Sequence, residues 1–202
     1  MSPPWLTVVI PTVGRESLIE TLHSWTRQDI AGVELLVVGD SYGGPHHRLL
    51  WARHLADEFG ARYLDFDGGQ HMVGQPQRNY GQREARGDWL AFSQDDNVAT
   101  AIALGSILDA VSCQPHKQPL FFRWLAPWRE TIWRQPVLRA GNIDADCLVF
   151  PRTLVGEVTW GMRYEGDFDA AACLEQRGPV EWREEVIAVA RPSQEHRWWT
   201  AA

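Results

Sequence analysis

Gly87-Asp88-Trp89-Leu90-Ala91-Phe92-Ser93-Gln94-Asp95-Asp96-Asn97 passes from a turn through a short apolar run into two adjacent carboxylates and an amide. The apolar run reads as a buried strand that delivers acidic side chains to its carboxyl end. In open α/β sheets that edge is where ligands bind. Two carboxylates with few nearby cations suit a hard divalent ion carrying phosphates. The plainer alternative is a strand followed by an Asp/Asn turn and helix cap.

Upstream, Leu6-Thr7-Val8-Val9-Ile10-Pro11 is a β-branched run without polar alternation, the pattern of a strand covered on both faces. Ser17 is placed to cap a helix with Leu18, Leu22 and Trp25 on one face. A second buried strand, 33–38, ends at Gly39-Asp40-Ser41. Residues 45–59 then carry Leu49, Leu50, Ala52, Leu55, Ala56 and Phe59 at helical spacing, and 62–66 form a third strand. Strand, helix, strand, helix, strand within sixty-odd residues implies right-handed crossovers and a parallel sheet. A polar helix at 77–85 leads into the opening stretch.

Downstream the texture changes. Residues 99–111 read as an apolar helix, and 120–125 with 131–134 as strands of a hairpin. A loop at 141–144 precedes a strand at 147–150. A short helix is expected at 168–176 and a strand at 180–190. There is no repeat and no linker-like segment, so one domain with two functional halves is expected.

Composition narrows the function classes. The chain has 202 residues, 45% apolar and 22% charged, with net charge −7. A general affinity for nucleic acid or for anionic membrane does not fit that charge. No apolar run reaches the 18 or so residues that span a bilayer. No basic region precedes an apolar stretch at Met1-Ser2-Pro3-Pro4-Trp5, so no signal peptide is expected. Cys113, Cys147 and Cys173 are sparse and odd in number, which reads as reduced thiols in a cytoplasmic protein. Of the eleven tryptophans, Trp124, Trp128 and Trp133 are near enough in sequence to suggest an aromatic platform for an acceptor; packing is the alternative. His46, His47 and His71 have no spacing that makes a site.

Four blocks in order carry a resemblance: Leu6-Thr7-Val8-Val9-Ile10-Pro11-Thr12 with Arg15; Leu36-Val37-Val38-Gly39-Asp40-Ser41; Arg78-Asn79-Tyr80-Gly81 with Ala85-Arg86-Gly87-Asp88; and Asp95-Asp96. Together they resemble the family 2 type of GT-A glycosyltransferase, closely over residues 5–100 and loosely beyond. The resemblance implies an α/β, Rossmann-like GT-A fold. Its mostly parallel central sheet would be flanked by helices, with a smaller mixed or antiparallel acceptor-side region. A single domain over 1–202 would then divide into a nucleotide-sugar half at 5–98 and an acceptor half at 99–202.

The same resemblance assigns roles. Pro11, Thr12 and Arg15 would line the nucleoside pocket, and Asp40 would accept from a base edge, with a turn former as its alternative. Arg78 would clamp phosphate as a bidentate donor, and Asn79 would be a second donor nearby. Gly81 would allow close helix–sheet packing. Asp96 stands for the metal-binding acid of the Asp-x-Asp motif, holding Mn²⁺ or Mg²⁺ on the diphosphate. Asp95 would contact the ribose or a metal-bound water. Gln94 is a departure, since it replaces the first acid of the motif. In Tyr164-Glu165-Gly166-Asp167-Phe168-Asp169, Asp167 aligns as the general base, with Gly166 where the family has an acid, and Glu165 or Asp169 as alternatives. His196 would close the site as a metal or diphosphate ligand. Asp144 or Asp146, in the loop before 147–150, would meet sugar hydroxyls or form a plain turn.

The expected activity is metal-dependent, inverting transfer of a sugar from a nucleotide-diphosphate donor to a hydroxyl of a glycan or small-molecule acceptor. UDP is favoured, with dTDP and GDP as alternatives. A non-catalytic nucleotide-sugar or glycan-binding module is the runner-up. A nucleotidyltransferase is the third reading, but Thr12-Val13-Gly14-Arg15 is short and poor in glycine for its phosphate loop.

Overall fold

A computed structural model describes residues 3–68, 72–114, 116–126 and 130–190. Strands β1 (Leu6–Thr12), β2 (Val33–Asp40), β3 (Arg62–Phe66) and β4 (Trp89–Phe92) pair in parallel in the order β3-β2-β1-β4. Helices α1 (Leu18–Thr26), α2 (His46–Glu58) and α3 (Gln75–Glu84) form the crossovers. All seven residues of β1 are buried, as a central strand of a covered parallel sheet requires.

The same sheet continues into the second half with strands of mixed direction. These are β5 (Asn97–Ala99), β6 (Leu120–Leu125), β7 (Thr131–Ile132), β8 (Leu148–Pro151) and β9 (Glu181–Ala190). Strand β8 pairs antiparallel with β4 and with β6; β9 runs parallel to β6 and antiparallel to β5; β7 forms the hairpin with β6.

Alternation along the strands sorts the core into two layers. Val8 and Ile10 of β1 join Leu35 and Val37 beneath Leu22 of α1, Leu55 of α2 and Ile107 of α4 (Ala103–Ser112). Val9, Leu36, Val38, Leu90 and Phe92 face the opposite side, with Ala170, Ala171 and Leu174 of α5 (Gly166–Arg177). Helix α3 covers this second side in an unusual way. Its buried residues are Gln75, Pro76, Gln77, Arg78, Gly81 and Gln82, four of the six polar. Gly81 makes the contact possible: a Cβ there would stand 2.5 Å from Val9 Cγ1 and 3.1 Å from Val38 Cγ2.

Three local expectations change. Ser17 has helical dihedrals and makes no side-chain capping bond; the helix instead starts through Leu18 N donating to Arg15 O. Leu50, expected on the apolar face of α2, is 53% exposed. Residues 97–99 form a strand, and α4 begins at Ala103. There Thr100 donates its N–H to Ile187 O and its hydroxyl to Val186 O, both at 2.9 Å, drawing the chain onto β9. Pairing across some 86 residues of sequence overrides a local helical pattern. All three cysteines are free thiols. No helix among the described residues is long and apolar enough to cross a membrane.

Candidate active site

Because β1 and β4 are neighbours, their carboxyl ends bring the first and fourth sequence blocks together. Thr12 Oγ1 donates to Asp95 Oδ2 at 2.7 Å and accepts from Gly14 N at 2.9 Å. Arg15 Nη1 lies 2.8 Å from Asp95 Oδ1 and 3.4 Å from Asp96 Oδ2. Burial pushes the Asp95 carboxyl above its ordinary range, and the Arg15 guanidinium and Thr12 hydroxyl pull it back. Pro11 lies against the N-terminus of α3, 3.0 Å from the point where a Gly74 Cβ would stand. Asp40, at the end of β2, is buried, and its Oδ1 accepts from Tyr42 N and Gly43 N at 3.1 and 2.8 Å. That carboxylate therefore shapes the turn after β2.

The segment after β4 is also tied to the loop before β8. Gln94 Nε2 donates to both oxygens of Asp144, at 3.0 and 3.2 Å. Asp146 accepts from Ser93 Oγ at 3.2 Å and from Asn97 Nδ2 at 2.8 Å. Asp144 Oδ1 accepts from Asp146 N at 3.0 Å and caps a short 3₁₀ turn, Ala145–Cys147. Burial raises the Asp146 carboxyl well above its usual range, and Asp144 beside it adds to the effect. Gln94 thus fills the first position of the acidic motif with a donor that Asp144 uses; a carboxylate there would face Asp144 at contact distance.

Arg78 is 4% exposed. Its Nη1 donates to Val73 O at 2.9 Å, and its guanidinium lies 5.3 Å from the ring centroid of Trp160. Its Nε has no hydrogen-bond partner among the described residues. Asp144, Asp146, Asp167 and Asp95 surround it and oppose the loss of its charge to burial. Asn79 is engaged elsewhere: Nδ2 donates to Trp160 O at 2.8 Å, and Oδ1 accepts from Trp160 N at 3.0 Å. This reciprocal pair clamps the 158–160 segment to α3, so the geometry makes Asn79 a support and not a ligand donor.

Helix α5 brings the last acids in. Burial lifts the Asp167 carboxyl to about 7; Asp144 adds to the rise, and Arg78 offsets part of it. Asp167 Oδ1 accepts from a neighbouring backbone N–H, Phe168 N at 2.8 Å. Asp169 differs in every respect. It is paired with Arg163 at 2.8 and 2.5 Å, and that pairing holds its carboxyl below the ordinary value. Glu165 is exposed. Gly166 has no room for an acid: a Cβ would stand 2.3 Å from Gly161 O and 2.6 Å from Gln75 Cδ.

The first half of the expected site assembles at one sheet edge: Thr12, Arg15, Asp95 and Asp96 directly, with Arg78 electrostatically coupled to Asp95 and Asp167. Of the tryptophans read as either acceptor platform or packing, the two described ones are core residues. Trp133 is 2% exposed, donates Nε1 to Phe122 O at 3.1 Å and packs edge-on against Trp182; Trp124 is 7% exposed. Trp128 and His196 lie outside the described residues. Sequence reasoning gave no role to Ser93, Asn97 or Trp160, whose partners are 49 to 81 residues away.

Among the described residues, no group of three or more His, Cys, Asp or Glu side chains is arranged to hold a metal ion by itself. Asp96, buried and partly balanced by Arg15, fits a different donor set: one carboxylate, with substrate phosphates supplying the other oxygens.

Solved structures with the same fold include the S. aureus TarS fragment 1–349, with a TM-score of 0.72 at 13% identity over 92% of this chain and 60% of that one. The same fragment in complex with UDP-GlcNAc gives 0.70 at 12% identity, over 98% of this chain and 61% of that one. The mannosyltransferase PcManGT from Pyrobaculum calidifontis, in complex with GDP-Man and Mn²⁺, gives 0.71 at 16% identity, over 98% and 60%. The chain thus spans about three fifths of the length of these structures. At these identities the likeness establishes the fold, a GT-A α/β sheet. A sequence comparison with characterised proteins found no match. The family model for glycosyl transferase family 2 matches residues 7–138, which hold the entire parallel half and the Asp95-Asp96 motif, and the chain belongs to that family.

Proposed function

We propose that this chain catalyses inverting transfer of a sugar from a nucleotide-diphosphate donor to an acceptor hydroxyl, with Asp167 as general base. The observation that carries the reading is the contrast among the three candidate acids. Asp167 is half-buried and lifted to about 7, whereas Asp169 is neutralised by Arg163 and Glu165 is exposed. A general base works best with a pKa near the operating pH. Asp167 accepts the acceptor proton as the hydroxyl attacks the anomeric carbon from the face opposite the leaving diphosphate.

The donor half follows from the other cluster. Arg15 holds Asp95 and Asp96 in place, Asp95 meets the ribose, and Pro11 and Thr12 wall the nucleoside pocket. Asp40, whose Oδ1 holds the turn after β2, meets the base edge at the end of that strand. Arg78 places its guanidinium beside the diphosphate; Asn79 fixes the wall behind it. UDP is the favoured nucleotide, with dTDP and GDP as alternatives. The UDP-GlcNAc and GDP-Man complexes of the structural neighbours support that range. Asp96 would hold Mn²⁺ or Mg²⁺, which supplies charge neutralisation for the departing diphosphate. The Mn²⁺ in the mannosyltransferase neighbour supports this choice. The free thiols fit a reducing, cytoplasmic setting.

Gln94 and Gly166, the two departures that favoured a non-catalytic module, both have local reasons: a hydrogen bond to Asp144 and lack of space. The test is product formation from UDP-, dTDP- and GDP-sugars with a panel of glycan acceptors, with Mn²⁺ and with chelator. Transfer or donor hydrolysis that disappears in Asp167→Asn supports the reading. Donor binding without turnover across the panel assigns a binding module instead.

A further inference from the structure

The acid missing from position 94 has a counterpart in space. We propose that Asp144 carries that charge from the facing loop, held by Gln94, and acts as a positioning residue for Asp167. The catalytic part of this inference rests on the glycosyl-transfer reading above; the structural part does not.

The geometry is a swap of donor and acid between two segments. Gln94 Nε2 spans both carboxylate oxygens of Asp144. Ser93 and Asn97, on either side of Gln94, hold Asp146, two residues from Asp144. Four side-chain hydrogen bonds therefore staple 93–97 to 144–146. Asp144 is half-buried, whereas Asp146 is sealed at 2% exposure. Asp144 is thus the member of the pair that is open to the site. An acid at 94 and an acid at 144 would repel at contact distance; an amide and an acid attract. The pairing tolerates exchange of the two roles and excludes the doubly acidic combination.

The charge reaches Asp167. Four ionisable side chains couple electrostatically to that carboxyl: Asp144 from the loop before β8, Arg78 from α3, Cys147 from the 3₁₀ turn and Tyr164 from the segment before α5; Glu165 lies two residues away. Burial raises both the Cys147 thiol and the Tyr164 phenol above their ordinary values, so both are neutral near pH 7. At Asp167 the like charge of Asp144 is then set against the buried Arg78 cation. With Asp144 in place, Asp167 holds or releases a proton near neutrality; without it, Arg78 dominates and Asp167 becomes a weaker base.

The experiment uses the full chain with ¹³C-carboxyl-labelled aspartate, the Asp167 resonance being assigned from its loss in Asp167→Asn. Asp144→Asn keeps a capping side chain and is expected to move the Asp167 titration midpoint down by about one pH unit or more. The acid limb of kcat/KM against pH moves the same way. Gln94→Glu is expected to lower Tm, and Gln94→Glu combined with Asp144→Asn to recover most of that loss, because the carboxylate introduced at position 94 then accepts from the new amide. An unmoved Asp167 midpoint in Asp144→Asn, or a double variant no more stable than Gln94→Glu alone, overturns the proposal. If the midpoint moves and the swap rescues while no nucleotide sugar yields product, the positioning stands and the transfer reading fails. If product forms and Asp144→Asn leaves both midpoint and acid limb in place, the transfer reading stands and the positioning fails.

Discussion

The two acidic clusters of this protein lie at one sheet edge but are built to opposite electrostatic designs. At the ends of β1 and β4, Asp95 is met by a guanidinium and a hydroxyl, and Asp96 shares the same arginine. At the start of α5, Asp167 is met by backbone N–H, with a like charge beside it and a cation that is itself buried. The first cluster is satisfied before any ligand arrives, which suits a surface that binds. The second leaves a carboxyl near its ionisation point, which suits a group that must exchange a proton. The difference teaches that an aspartate's role is set less by its motif than by the donors and charges around it. Asp167 and Asp169 sit in one helical turn, yet one is raised and the other lowered.

The sharpest way to break the comparison is to neutralise each acid in turn. Asp167→Asn is expected to lower transfer by about a thousandfold or more while donor affinity, read by calorimetry, stays within a few-fold. Asp169→Asn removes only the Arg163 pairing and should cost less than about tenfold; equal losses in the two variants would erase the distinction.

Removing the first cluster's cation tests its satisfied state. Arg15→Ala leaves Asp95 buried with one hydroxyl partner and should destabilise the fold by roughly 1–3 kcal/mol at about pH 7, by urea unfolding. Arg53→Ala, which breaks an exposed ion pair with Asp65, serves as the control at below about 1 kcal/mol.

The close packing that positions Arg78 can be probed through two glycines. Gly81→Ala forces a methyl into Val9 and should cost about 1–3 kcal/mol. Gly105→Ala, in α4 with nothing within 4 Å, should instead stabilise by about 0.4–1 kcal/mol.

The two clusters also differ in a pH slope. The folded-state carboxyl of Asp167 titrates at about 7, above its unfolded value, so the folded state holds this proton more tightly. The contribution of this carboxyl to the stability of the unliganded protein therefore falls as pH rises from about 4 to 7 and levels off above that. Asp167→Asn lacks this contribution and should gain on the parent protein across that window; parallel Tm-against-pH curves would contradict the raised carboxyl.

Much of the first half was legible without coordinates. The runs 6–11 and 33–38 lack polar alternation because both faces of a central parallel strand are covered, and a continuous apolar run is the direct record of that burial. Gly81 was legible for a similar local reason, since a helix lying this close on valines tolerates no side chain. Thr12, Arg15 and Asp95 could be nominated because the sequence blocks that hold them resemble those of family 2 glycosyltransferases.

The second half was less legible because its deciding contacts are long in sequence and polar. Nothing local at 97–99 reports that β9 will claim those residues as a strand. Asn79 reads as a ligand donor until Trp160, 81 residues on, engages both ends of its amide. The tryptophans at 124 and 133 read equally as platform or core, and only burial separates those outcomes.

The sequence by itself determined the parallel sheet and the edge at which its acids gather, because hydrophobic period and strand-end position are written in neighbouring residues, while four ordered motif blocks carried the family resemblance. Tertiary structure alone decided the state of each acid. Gln94 reads as a lost charge until Asp144 is found against it, and Asp167 is distinguished from Asp169 only by Arg78, Asp144 and Arg163. Ionisation depends on burial and on charges a few ångströms away, and those distances exist only once the chain has closed on itself.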